Sequence, residues 1–305
     1  MRNEERGTSK RGTRNKERGS GCSTPARPRL NVHFLGPRSS FMWRSLMRNH
    51  SRRFAVAILA IAAPLQAQSL ASRIAAEDGA VTFHYAPRPG ICGDGETFIR
   101  TGRSSYHGSF STKRAMEPCI FGPAQVRLTV EDGTVHRIET FVGPLRSRRA
   151  RDLGEVSAPE AARYLMTIAE RGKTGASAKA IFPAVIADSV TVWPALLTIA
   201  RDTDTRSRAT RQDALFWLSR FASASLAGHP NDPFADDEEE RSGDDELKSH
   251  AVFVLSQLPR SEGIPQLLEV ARSNRDWRVR SKALFWLGQS GDPRAIELFE
   301  SILRR

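Results

Sequence analysis

Four short apolar segments of similar pattern recur in the C-terminal half of the chain, at residues 180–184, 214–218, 251–255 and 283–287. Each begins with alanine and has phenylalanine in third place, and successive phenylalanines are 34, 37 and 32 residues apart. These phenylalanines are Phe182, Phe216, Phe253 and Phe285. A period in this range on a helical pattern predicts stacked helical hairpins. Such proteins usually bind partners along an extended surface.

A second apolar pattern supplies the other helix of each predicted hairpin, at residues 164–169, 195–200 and 266–271. The copy expected between the last two is not visible, and residues 221–240 occupy its place. The spacing therefore predicts a mainly α fold, an α-α solenoid over residues 157–305. Ser157 and Glu160 have capping-box spacing at its start. Pro183 is expected to kink or shorten the first phenylalanine-bearing helix.

The preceding region, residues 68–150, follows a strand pattern. Residues 125–130 and 135–142 alternate apolar and polar positions around Asp132-Gly133, the strongest kind of hairpin signal, because this pair accepts the positive φ of a type I′ turn. Residues 81–85 form another predicted strand, and residues 146–151 a basic linker. We expect a small β-rich region with a thin core.

Two cysteines, Cys92 and Cys119, lie in this β-rich region. An even count in an exported chain predicts a disulfide, and the closed loop would contribute on the order of 3 kcal/mol in the chain-entropy model. Two free thiols or a metal pair are the alternatives. Zinc normally needs four ligands, which two cysteines do not supply.

The N-terminus has the pattern of an export signal. Residues 47–53 are basic, residues 54–63 are an apolar run, and Leu65-Gln66-Ala67 forms a cleavage site of fair quality. Residues 47–67 are therefore predicted to be a signal peptide, and the chain to be periplasmic or secreted without a stable membrane span. A buried helix or an uncleaved anchor is the alternative. Residues 1–46 are predicted to be disordered, spurious upstream translation, with the true start at Met47 or Met42.

The charge distribution argues against a nucleic-acid partner. Residues 1–67 hold 14 Lys and Arg against 3 Asp and Glu, whereas residues 68–305 hold 32 against 31. The formal charge of +12 thus belongs almost wholly to the N-terminal residues 1–67. A nucleic-acid partner would need a basic face on the mature chain.

Residues 276–295 resemble a HEAT repeat of the short bacterial type. That family repeats an Asp, a Val-Arg pair, an Ala, a Leu-Gly pair and a Gly-Asp-Pro. Here these fall on Asp276, Val279-Arg280, Ala283, Leu287-Gly288 and residues 291–293. The resemblance covers residues 157–305 and implies structural roles for Asp276, Val279, Arg280, Ala283 and Leu287. It implies that Asp276 and Arg280 hydrogen-bond between neighbouring repeats.

The candidate partner-binding residues follow from the same period: Phe216, Phe253, Phe285, Arg278 and Lys282. Helical spacing places Phe285 with Arg278 and Lys282, on a flank other than the core stripe of Val279, Ala283, Trp286 and Leu287. The phenylalanines could form a ladder that grips a partner. Alternatively, they form contacts between successive helices of the stack, as buried helices are apolar on more than one side.

Other patterns give weaker signals. Residues 232–246 hold nine acidic side chains, which could bind calcium but lack the alternation of an EF-hand loop. His84, His107 and His136 have no ligand spacing. We therefore expect no metal, no cofactor and no catalytic residues. The sequence predicts a non-enzymatic scaffold or adaptor for a protein partner, and the alternative is an enzyme or enzyme accessory whose activity lies in residues 68–150.

Overall fold

A computed structural model describes residues 69–101, 105–108, 119–172, 175–235 and 243–305. The predicted signal peptide and upstream residues lie outside these ranges. The strands are β1 (Gly79–Tyr85), β2 (Ile91–Gly93), β3 (Phe98–Thr101), β4 (Ser105–Gly108), β5 (Ala124–Glu131), β6 (Thr134–Val142) and β7 (Arg151–Glu155). The helices are α1 (Leu70–Ala75), α2 (Ala158–Arg171), α3 (Ala176–Lys179), α4 (Ile181–Val185), α5 (Trp193–Arg201), α6 (Arg208–Leu226), α7 (Gly243–Gln257), α8 (Arg260–Ser273), α9 (Trp277–Ser290) and α10 (Pro293–Leu303). None of them is long and apolar enough to cross a bilayer.

The predicted hairpin is confirmed as β5 and β6. Asp132 and Gly133 both have positive φ, 50° and 68°, as a type I′ turn requires. The hairpin extends into a four-stranded sheet in the order β6-β5-β1-β7, in which β1 runs antiparallel to β5 and parallel to β7. A second sheet has the order β2-β3-β4. The inward side chains of β5, Val126, Leu128 and Val130, are fully buried.

The prediction of a linker at residues 146–151 was wrong at its end, because Arg151 begins β7 and pairs with Val81. The rest of this basic run is also attached to the β region. Arg148 donates hydrogen bonds to the Gly95 carbonyl and the Gln125 side chain, and its guanidinium lies 3.4 Å from the centre of the Phe141 ring. The positive charges are thus held against the sheet.

The predicted disulfide is confirmed. Cys92 and Cys119 are bonded across 27 residues of sequence, with Cα atoms 5.3 Å apart. Free thiols and a metal pair are therefore excluded for these two residues. Cys92 is buried at the start of the three-stranded sheet, so the bond fixes the chain where the predicted core is thinnest.

One half of the predicted capping box forms at the start of α2. The Ser157 hydroxyl accepts a hydrogen bond from the Glu160 N–H at 3.3 Å. The Glu160 carboxylate does not return to Ser157 but accepts the N–H of Leu70 at 2.7 Å. It thereby joins α1, which the sequence did not predict, to the first long helix.

The expected interruption at Pro183 is present, since this stretch forms only the short helices α3 and α4. Backbone carbonyls in and after this stretch accept hydrogen bonds from side chains of the β region. The Tyr85 hydroxyl donates to the Pro183 carbonyl, and Arg88 donates to the carbonyls of Val185 and Val190. The strands and helices share one apolar core, and all described residues belong to one compact unit, Pro64–Arg305.

The helices do not pack in chain order. Helix α6 packs against α5 and α9, and α9 packs against α7 and α8. Helix α10 contacts α5, α6 and α9, with an ion pair between Arg201 of α5 and Glu300 of α10. The pair α9-α10 therefore lies between α5-α6 and α7-α8, and the prediction of contacts between successive phenylalanine-bearing helices was wrong at this step.

Two features account for this order. Residues 227–235 contain turns in place of the missing helix of the repeat, so α10 supplies the layer beside α5 and α6. Gly288 lets α9 approach α6 closely. A Cβ atom at this position would lie 3.0 Å from the Leu215 carbonyl oxygen and 3.0 Å from the Ser219 Cβ.

Candidate functional site

Six aromatic rings form a continuous row across α4, α6, α9 and α7. Centroid distances between successive contacting rings are 5.9 Å from Phe182 to Trp217, 5.0 Å from Trp217 to Phe216 and 6.5 Å from Phe216 to Phe285. They continue at 5.1 Å from Phe285 to Trp286 and 5.3 Å from Trp286 to Phe253. We call Phe182, Trp217, Phe216, Phe285, Trp286 and Phe253 the aromatic row. Contacts at these distances are typical of stabilising aromatic pairs.

The row is only partly buried. Trp217 is 5% exposed and packs edge-on against Phe234, whereas Phe253 at the far end is 38% exposed. The phenylalanines therefore join helices, although not only successive ones as the simpler interpretation predicted, and they also present ring surface to solvent. Trp286, which was expected in the core stripe, is partly buried and packs against the core, and its ring also belongs to the row.

A polar residue lies three positions before each phenylalanine of the row. This spacing places it one helical turn earlier on the same side. In spatial order these residues are Lys179, Asp213, Lys282 and His250. Each of them lines a groove that the row also lines. The three-residue spacing is visible in the sequence, but the arrangement of the helices places these polar residues beside the aromatic row.

The first groove, of about 370 Å³, lies where the strands meet the helices. Ile99 and Thr97 approach from the β3 side and Ile138 and Thr140 from β6. The opposite wall consists of Phe182, Phe216, Trp217, Ala178, Lys179 and Asp213. Its volume falls within the range of ordinary small-ligand and peptide-side-chain pockets.

Asp213 is the acidic group of this first groove. Burial raises the pKa of its carboxyl, and the positive charge of Lys179 opposes that rise. The groove thus offers apolar ring surface with one carboxylate and one ammonium at its wall. Such a mixture suits an amphipathic side chain that has an apolar body and a polar end.

The second groove, of about 300 Å³, lies between α7 and α9. Phe253, Phe285 and Trp286 provide its aromatic surface, and Lys282 and His250 its polar edge. The His250 ring lies 5.9 Å from the Phe253 ring. Both grooves therefore repeat one composition, rings beside a polar residue from the preceding turn.

The structure brings together four of the five predicted partner-binding residues. Phe216 and Phe285 are in contact, and Lys282 lines the same groove as Phe253 and Phe285. Arg278 does not line either groove, and its guanidinium carbon lies 5.3 Å from the Trp277 ring centre. Trp217, Asp213, Lys179 and His250 were not predicted as site residues.

The residues with implied structural roles lie in α9 and at its N-terminal cap. Asp276 caps α9 by accepting the Arg278 N–H at 3.0 Å, and it accepts Lys248 of α7 at 3.1 Å. Arg280 donates to the carbonyls of Asn274 and Arg275 in the loop before α9. Val279, Ala283 and Leu287 are buried. The acidic residue thus joins neighbouring helices through a lysine.

Metal chemistry finds no support in the described ranges, where no three His, Cys, Asp or Glu residues are grouped as ligands. His84 lies in β1, and His136 lies 4.0 Å from Glu131 on the β5–β6 hairpin. Five of the nine acidic residues of the 232–246 run lie at residues 236–242, outside those ranges, so the calcium alternative stays a prediction.

Comparison with known families gives one finding. Residues 239–305, which include α7 to α10, match the family model of HEAT repeats. The resemblance predicted from Asp276 to Pro293 is thus confirmed for this segment, and for residues 157–238 it stays a prediction. HEAT repeats generally mediate protein–protein interactions. No curated protein and no solved structure matched the chain.

Proposed function

We propose that this chain is a non-enzymatic binding protein that holds a protein partner along the aromatic row. The observation that carries the proposal is the continuity of six rings over four helices, with a groove at each end. Aromatic side chains dominate the binding energy of many protein interfaces, because they bury a large area and lose little conformational entropy. The HEAT match of residues 239–305 supports the same class of function.

The helices α5 to α10 act in this proposal as a short α-α solenoid of HEAT-like hairpins. Its hairpins occur in the spatial order α5-α6, α9-α10, α7-α8. This order matters for binding, because it places Phe285 beside Phe216 and leaves Phe253 at the end of the row. A partner would meet residues from both sides of the 227–242 connection.

Export belongs to the same proposal. The pattern of residues 47–67 and the disulfide Cys92–Cys119 both suit a periplasmic or secreted protein. Sequencing the mature N-terminus tests this directly. We expect a mature chain that begins near Gln68, and a chain that retains residues 47–67 would contradict it.

The binding proposal is tested by photo-crosslinking from two exposed positions. Benzoylphenylalanine replaces Phe253, in the row, or Phe121, which is 70% exposed in the β region. We expect a discrete crosslinked partner from position 253 only, in cells that export the chain. The substitution Phe285→Ala, in a chain that stays folded, should weaken that crosslink.

Two results would contradict the proposal. One is the same set of crosslinks from both positions, which indicates non-specific capture. The other is a discrete partner from position 121 that survives Phe285→Ala, which would place the function in the β region. That second result would favour the alternative of an enzyme accessory.

A further inference from the structure

The two ends of the aromatic row differ in charge. Of the four polar residues that precede its phenylalanines by one helical turn, Asp213 is the single acid. It lies on α6 and lines the first groove together with three rings of the row. The second groove is lined by Lys282 and His250 and by no acidic residue of the described chain. A negative charge is therefore offered at the end of the row that lies beside the β region.

The Asp213 carboxylate has lost part of its water without gaining a hydrogen-bond donor. It is partly buried, and this burial raises the pKa of its carboxyl. Among the described residues no side chain or backbone N–H donates to it, and no ion pair joins it to Lys179, which is exposed. A carboxylate in this state is destabilised until a cation or a donor reaches it.

Aromatic rings form the wall of the groove on the same side of α6. Phe216 and Trp217 follow Asp213 by three and four residues, which places all three side chains on one side of the helix. The planes of the two rings are inclined at 77° with their centroids 5.0 Å apart, so the rings form a corner. Phe182 of α4 continues this wall beside Trp217. Aromatic rings attract cations through the negative potential of their faces, and the attraction grows where water is excluded.

We propose that the first groove binds an arginine side chain of the protein partner, with the guanidinium paired to Asp213 and lying against the rings of Phe216 and Trp217. This inference rests on the proposed function, in which the aromatic row is the partner site. A guanidinium is planar and weakly hydrated, so it can stack on a ring and donate two hydrogen bonds to a carboxylate. A lysine ammonium is more strongly hydrated and would lose more on entering a largely apolar groove.

The rest of the groove suits the stem of the same side chain. Ile99 of β3 and Ile138 of β6 provide apolar surface, and the methylene groups of arginine pack on such surface while the charged end stays with its polar partner. Lys179 already places one positive charge at the wall, so the groove suits a single cation and not a basic cluster. Because Lys282 and His250 line the other groove, the arginine fixes which end of the partner lies beside the β region.

Two small probes test the pairing. N-acetylarginine methylamide has the charged end, and N-acetylcitrulline methylamide has a neutral urea of nearly the same shape. Each is titrated at neutral pH into the purified chain, and the indole N–H signals of Trp217 and Trp277 are followed by NMR. We expect the arginine probe to shift the Trp217 signal with a dissociation constant on the order of 1 mM, and the citrulline probe to bind at least about fivefold more weakly. Trp277 lines neither groove and should not shift.

Charge variants should act with opposite signs. Asp213→Asn should weaken binding of the arginine probe at least about fivefold and leave the citrulline probe unchanged, because the amide keeps the size and loses the charge. Lys179→Gln should strengthen arginine binding about twofold, since it removes a like charge. The matched control Glu269→Gln removes an exposed carboxylate from α8 and should change neither. Equal binding of arginine and citrulline, or of arginine and N-acetyllysine methylamide, would overturn the proposal.

The crosslink from position 253 separates this inference from the proposed function. In the folded chain Asp213→Asn should reduce the yield of the discrete crosslinked partner, and Glu269→Gln should not. A crosslink that Asp213→Asn leaves intact would keep the aromatic row as the partner site and overturn the arginine contact. An arginine probe that binds, while position 253 captures no discrete partner, would contradict the row as a protein-binding site and support the preference of the groove for a guanidinium.

Discussion

Helices α6 and α7 contain similar five-residue motifs, at residues 214–218 and 251–255, but experience different surroundings. In α6 the alanine Ala214 is fully buried and Trp217 is 5% exposed. In α7 the corresponding Ala251 is exposed and Val254 is 49% exposed. Helix α6 has neighbours on both flanks, α5 and α9-α10, whereas α7 is at the end of the stack. Burial of a repeat position is thus decided by the neighbouring hairpin and not by the motif.

The largest expected effect is on the free energy of unfolding, when the leucine at the fifth position of each motif is replaced by alanine. Leu218→Ala on α6 removes a fully buried side chain and should lower the free energy of unfolding by about 2–5 kcal/mol. Leu255→Ala on α7 removes a partly buried one and should cost roughly 1 kcal/mol. Guanidinium unfolding followed by circular dichroism measures both. Equal losses would mean that α7 is as enclosed as α6.

A smaller difference in stability is expected when the alanine at the first position of each motif is enlarged to leucine. Ala214→Leu overfills a closed space between helices and should destabilise the protein by about 1–3 kcal/mol. Ala251→Leu projects into solvent from α7 and should change stability by less than about 0.5 kcal/mol. The same denaturation experiment applies. A large loss at position 251 would indicate that another part of the chain covers α7.

Local sequence patterns predicted the helices and strands better than they predicted which of these elements pack against each other. The β5–β6 hairpin followed from Asp132-Gly133 and from alternation on both sides, which are properties of adjacent residues. Strand β7 was missed because Leu153 is its single apolar side chain, and parallel pairing with the distant β1 stabilises it. Helix α1 was also missed, since six residues give too short a period to detect.

The order of helices could not be read from the sequence for a physical reason. A repeat period shows which residues face a neighbour, but every hairpin of the period offers a similar face. The repeat pattern that the sequence does not show at residues 221–240 was the available sign of irregularity. Helix α10 lies beside α5 and α6, where its Ile296 and Phe299 are buried.

The sequence likewise predicted only some residues of the candidate site. Phe216, Phe253 and Phe285 were found from their spacing, but their order along the row is Phe216, Phe285, Phe253. Trp217 and Trp286 were assigned no site role, because a tryptophan next to the phenylalanine of an apolar motif is usually core. Their position in the row depends on contacts between helices that are not neighbours in the chain.

A modest effect is expected at the polar contact that holds α7. The carboxyl of Asp276 is partly desolvated, which opposes ionisation, but hydrogen bonds from Lys248 and from the Arg278 N–H outweigh this and lower its pKa. A lowered carboxyl pKa contributes stability above the ordinary value of 3.8, and this stability is lost as pH falls through the folded-state pKa. Acid should therefore loosen α7 before α6.

Hydrogen exchange measures this loosening helix by helix. Lys248→Gln at neutral pH should reproduce part of the acid effect, with faster exchange in α7, unchanged exchange in α6 and a global loss below about 1 kcal/mol. Arg137→Gln, which breaks an exposed ion pair with Glu139 on β6, is the matched control and should leave α7 exchange near that of the parent chain. Uniform acceleration in both helices would show that α7 and α6 unfold as one unit.

The smallest effect concerns Asp213, the polar residue that precedes the α6 motif. Burial raises the pKa of its carboxyl despite the nearby Lys179, so the fold favours the protonated form. Stability is then fully present below the unfolded-state value near 3.8 and declines as pH rises through the folded-state pKa. Asp213→Asn removes this decline, because the amide keeps its size and carries no charge. The melting temperature of the variant should equal that of the parent at pH 3.5 and exceed it by about 1–2 °C at pH 7. If the parent is instead the more stable protein at pH 7, the Asp213 carboxylate is stabilised by its ammonium neighbour, and the first groove offers a neutralised pair to its partner in place of a free charge.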